Sequence, residues 1–90
     1  MEETLVLNDA SKEGAVIKLL RTLGLADVET RVEIALDYPG QQLAVDLWTD
    51  TEPALVRAVD AIQAALKREL NLDAPTSTEL ERLTITKHSA

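Results

Sequence analysis

The chain has 90 residues, 46% hydrophobic and 28% charged, with 16 acids against nine lysines and arginines and a net charge of −7. That balance belongs to a folded globular domain and excludes a disordered polyanion, and the length suits one domain, residues 1–90, burying roughly 65% of its unfolded surface. Cysteine is absent, which excludes disulfides, thiolate metal sites and cysteine nucleophiles and fits a reducing compartment.

The only aromatic residues are Tyr38 and Trp48, so the core is expected to be built from Leu, Val, Ile and Ala. The acidic start "MEETLVLNDA" lacks the basic region of a secretory signal, and no apolar run approaches the ~18 residues of a membrane span. A cytoplasmic protein is expected. Nucleic acids and anionic membranes both demand clustered bases, so neither is expected as a partner.

In chain order, "TLVLN" (4–8) is a short apolar run that reads as a strand. In "DASKEGAVIKLLRTLG" the period changes: Val16, Leu19, Leu20 and Leu23 recur at helical spacing, which predicts a helix over 11–23. Asp9 or Ser11 would cap its start and Gly24 would end it. A phosphate site at this helix start is opposed by Asp9 and Glu13 and has no glycine motif around it.

The stretch 28–49 predicts a hairpin. Val28, Thr30, Val32, Ile34, Leu36 and Tyr38 alternate with Glu29, Arg31, Glu33, Ala35 and Asp37, and Leu43, Val45 and Leu47 alternate with Gln42, Ala44, Asp46 and Trp48. Ile34 and Val45 share a face as partners only if Leu36 meets Leu43 and Val32 meets Leu47; a slip of one residue would set Ile34 against Asp46. The loop then has an even count, and with Pro39-Gly40 suited to a type II turn, four residues, 38–41, fit best.

"TEPALVRAVDAIQAALKRELN" reads as a helix over 52–70, with Pro53 in its first turn, Leu55, Val59, Ile62, Leu66 and Leu70 on one face, and Asn71 as the stop. "ELERLTITKH" reads as a last strand over about 80–87, because Thr84, Ile85 and Thr86 are β-branched. The alternative is a helix, for Thr76 and Glu79 make a capping-box pattern. The resulting order is β-α-β-β-α-β, an α+β domain of ferredoxin-like type: a single antiparallel sheet with two helices on one face.

The hairpin register also defines the other face of the sheet. Arg31 falls opposite Trp48, Glu33 opposite Asp46, and Glu29 opposite Asp50. Residues 28–51 hold five acids and one base, more than half of the chain's negative excess. The plain reading is a solvated face with Trp48 covered by Arg31 or by the C-terminal segment. The functional reading is a recognition surface, with Trp48 and Arg31 ringed by Glu29, Glu33, Asp46 and Asp50 to suit a basic protein. A metal site would need converging oxygens that an open sheet face does not offer. RNA-binding sheet faces carry two or three aromatics among bases, and this face has one among acids.

No motif carries catalysis. His88 stands near the end of the sequence without an orienting partner, and the serines sit at a cap, in a loop and in the tail. Neither a P-loop nor a dinucleotide fingerprint is present, and no cofactor is expected. The expectation is a non-enzymatic protein-interaction domain acting through its sheet face, as a homodimer or an accessory subunit. An acidic inhibitor or immunity-type protein that blocks a basic site on its target is the alternative.

Overall fold

A computed structural model of the chain describes residues 1–23, 30–37, 42–77 and 82–88. Its elements are β1 (Glu2–Leu7), a 3-10 turn (Ala10–Lys12) running into α1 (Glu13–Thr22), β2 (Thr30–Asp37), β3 (Leu43–Thr49), α2 (Glu52–Leu70) and β4 (Arg82–His88). The result is a small α+β fold, in which two helices lie on an antiparallel sheet whose strands β1-β3-β2 are joined beside β2 by β4.

Period-two alternation sorts β1, β2 and β3. Leu5 and Leu7 of β1, Ile34 of β2, and Leu43, Val45 and Leu47 of β3 all point to one face and are buried there. Val16 and Leu20 of α1 and Leu55, Val59, Ile62 and Leu66 of α2 close the core from above. Helix α2 lies against β3 and β1 and packs beside α1.

The limits of α2 coincide with those read from the sequence, and local chemistry accounts for both. The Thr51 hydroxyl accepts the Ala54 amide at 3.3 Å, and Pro53 takes up a first-turn position where its missing N–H costs nothing. At the other end Asn71 turns left-handed, φ 54°, while its amide donates to the Lys67 carbonyl and that of Leu72 to Leu66. Helix α1 begins later than expected. The Asp9 carboxylate accepts both the Ser11 amide, at 3.1 Å, and the Ser11 hydroxyl, so residues 10–12 wind as a 3-10 turn first. The Ser11 hydroxyl bond above all holds the Asp9 carboxyl below its ordinary range. The expected Gly24 stop, the 38–41 loop, the first residues of the hairpin and the start of the last strand lie outside the described residues.

The sheet departs from the ferredoxin-like arrangement at its end. In that arrangement the last strand lies beside β1. Here the strand order is β1-β3-β2-β4, and β4 pairs antiparallel with β2 through a bulge between Ala35 and Asp37. The place beside β1 is already taken. After α2, buried Leu72 and Ala74 hold the chain against the core, and the Gln63 amide donates to the Ala74 carbonyl at 2.7 Å. Residues 75–77 then run along β1: the Val6 amide donates to Pro75, the Ser77 amide donates to Thr4, and Thr76 bridges Leu5. The strand reading of "RLTITKH" prevails over the helical one.

Gly14 sits in the first turn of α1, and a Cβ there would meet nothing within 4 Å. Gly14→Ala is therefore expected to raise the unfolding free energy by about 0.5–1 kcal/mol in urea titration, through the entropy of the unfolded chain.

Candidate recognition face

The face of the sheet away from the helices is built from three cross-strand rows. Registers β1–β3 and β2–β3 align Val6, Ala44 and Ala35 in one row, Thr4, Asp46 and Glu33 in the next, and Glu2, Trp48 and Arg31 in the third. Each row contains one residue from each of β1, β3 and β2, with β3 in the middle.

The first row is apolar and buried, with the small Ala44 side chain flanked on both sides. The second row corrects an expectation. Asp46 was read as one acid of a solvated face, but it is only 6% exposed. The Thr4 hydroxyl, itself buried, donates to Asp46 Oδ1 at 2.7 Å, so the carboxylate accepts a bond from the neighbouring strand. Glu33 lies opposite Asp46 and is half-buried, and its backbone is paired on the other side with that of His88 in β4. The two acids do stand across from each other, but a hydroxyl engages one of them.

The third row is the part of this face that opens to solvent. The Arg31 guanidinium carbon lies 4.3 Å from the centroid of the Trp48 ring, and the indole N–H donates to Glu2 Oε2 at 2.6 Å. The half-buried indole is thus held by a cation over its ring and a carboxylate at its edge. Beyond it β3 runs to Thr49, whose amide donates to the Met1 carbonyl and whose own carbonyl accepts from the Met1 amino group at 3.0 Å. Asp50 follows at an exposed bend, just outside the rows.

Of the residues expected to form a partner surface, Trp48 and Arg31 come together, Glu33 stands one row away, Asp46 is buried and Asp50 lies at the rim; Glu29 is outside the described residues. Sequence reasoning missed Glu2 and Thr4. The signal was present: carrying the β1 strand back to Glu2 puts Glu2, Thr4 and Val6 on the opposite beat from Leu5 and Leu7. The length of β1 decides it, and an apolar run starting at Thr4 does not reveal that length.

Elsewhere a shallow groove of about 300 Å³ lies between α1 and the end of α2, lined by Ala15, Lys18, Leu19, Thr22, Glu69 and Leu70. Its one hydroxyl, on Thr22, is spent on the Leu19 carbonyl at 2.8 Å. Among the described residues, no group of three His, Cys, Asp or Glu side chains is placed to hold a metal ion, and no helix is long and apolar enough to cross a membrane. No protein-family model, curated protein or solved structure matches this chain.

Two outcomes follow from the rows. In a double-mutant cycle on Arg31→Ala and Trp48→Ala, read by urea unfolding, the coupling is expected at about 0.5–1 kcal/mol; strictly additive losses would show that the stacked pair contributes nothing. Thr4→Val keeps the shape and removes the donor to a buried carboxylate, so a loss of about 1.5 kcal/mol is expected by the same method.

Proposed function

We propose that the chain is a small acidic protein-interaction domain without chemistry of its own, acting through the helix-free face of its sheet as a homodimer or an accessory subunit. The observation that supports this reading is the Glu2–Trp48–Arg31 row. It contains the chain's only tryptophan, oriented from two sides and accessible. Tryptophan and arginine are the residues that most often anchor interfaces, and an indole already fixed in place loses little freedom when a partner arrives.

The acids determine the kind of partner. Glu2 lies within the row, Glu33 and Asp50 flank it, and the chain as a whole carries −7. Such a field draws a basic protein surface and repels nucleic acid and anionic membrane. Two copies meeting flat through this face would oppose like charges unless the register offsets them, so a basic protein of another kind suits it better than a second copy. Net charge and small size also favour the second reading, an inhibitor or immunity-type protein whose acidic face fills a basic, even nucleic-acid-binding, groove on its target. Both readings use the same surface and differ in what the partner does. Neither needs a cofactor.

The test uses an arginine-rich peptide as probe and the fluorescence of Trp48 as readout. Saturable binding that weakens steeply with salt is expected. Trp48→Ala leaves the net charge at −7 and should still reduce affinity about tenfold by calorimetry. Unchanged affinity in that variant would reduce the interaction to bulk charge and remove the anchor from the proposal.

A further inference from the structure

The sheet has two edges, and they differ in occupancy and in charge. The β1 edge is covered by 75–77, and the Thr4 amide is additionally capped by the Glu3 carboxylate at 3.3 Å. It also carries two acids, Glu2 and Glu3. The opposite edge is β4, seven residues long, paired through β2 alone among the described strands. Its sequence, Arg82-Leu83-Thr84-Ile85-Thr86-Lys87-His88, contains two bases and no acid. Every other described strand and both α-helices contain at least one acid. A second chain of charge −7 therefore meets the least repulsion along β4.

We propose, resting on the reading of this chain as an interaction domain, that a second copy joins the sheet along β4, antiparallel, about a two-fold axis through Ile85. This register uses all seven residues. It sets Ile85 against Ile85, Thr84 against Thr86 twice, Leu83 against Lys87 and Arg82 against His88. β-branched residues thus face each other at the centre and no two fixed charges are opposed. Slipping one residue toward the strand start would bring Arg82 against Lys87 on both sides of the axis. The axis stands perpendicular to the sheet, so the helices of both copies lie on one side and both Trp48 rows on the other. Self-association at the edge leaves the recognition face free and doubles it.

The experiment is light scattering on the full chain from micromolar to millimolar concentration, combined with charge pairs on β4. The mass is expected to double. Thr84→Lys with Thr86→Lys places lysine against lysine twice across the axis and should return a monomer, whereas Thr84→Lys with Thr86→Glu places opposite charges there and should keep the dimer. The second variant carries substitutions at the same two positions, so misfolding and lost pairing are told apart. Ile85→Cys introduces the chain's only thiol and should cross-link two copies on mild oxidation, while Val56→Cys, at a 52% exposed position on α2, should not. Trp48→Ala should leave the doubled mass unchanged, which separates failure of this edge from failure of the face. A chain that stays monomeric throughout overturns the proposal, even if an acidic peptide strand binds β4. So does a dimer indifferent to the lysine pair, or one lost through Trp48→Ala.

Discussion

β3 is bonded on both sides, to β1 and to β2, and its alternation is the constraint that the other elements obey. Leu43, Val45 and Leu47 occupy the helix side without interruption. Any neighbour must therefore present its own apolar residues on the same beat or leave them in water, and a slip of one residue exchanges the two faces entirely. β2 meets the condition with Val32 and Ile34, β1 with Leu5 and Leu7. Because β1 and β2 are both antiparallel to β3, they run parallel to each other, separated by β3, with α1 between them in sequence. The central strand thus orders the first half of the chain.

The same alternation places polar residues where they do not all reach solvent. Ala44, Asp46 and Trp48 face away from the helices, and each acquires a neighbour from either side. In the middle of the sheet this buries Asp46, which takes the Thr4 hydroxyl as a donor. Toward the end of the strands the crowding relaxes, and Trp48 lies between Arg31 and Glu2 with part of its surface open. Rows that differ by two positions along one strand therefore differ in physical character: a buried polar bond at the centre, a half-buried and oriented aromatic at the end. On the proposed reading, the inner row fixes the platform and the outer row makes the contact.

Repeating pattern carried the parts of this fold that were legible. The β2–β3 register could be derived because three strand positions on each side leave one arrangement that keeps leucine, isoleucine and valine together. Helix α2 could be bounded because Pro53 and Asn71 act within one turn of themselves. The Arg31–Trp48 contact followed from that register, being a pair directly across two strands. Three features escaped. The Asp9–Ser11 bonds favour a 3-10 turn that apolar spacing cannot distinguish from an early helix. Glu2 and Thr4 belong to the far strand β1, whose partner residues are some forty positions away. The edge taken by β4 depends on where 75–77 had already settled.

Sequence alone determined the order of the strands and main helices, the buried beat of the two hairpin strands and the hairpin register, because each is set by neighbours within a few residues or by one pair of facing strands. Tertiary structure decided the rest. It chose the edge on which the last strand pairs, since that place depends on free hydrogen-bonding groups rather than on pattern. It also decided which of the acids on one face would be buried and bonded and which would stay in water. Burial at a sheet position depends on what stands to either side, and for Asp46 one of those neighbours, Thr4, comes from the start of the chain.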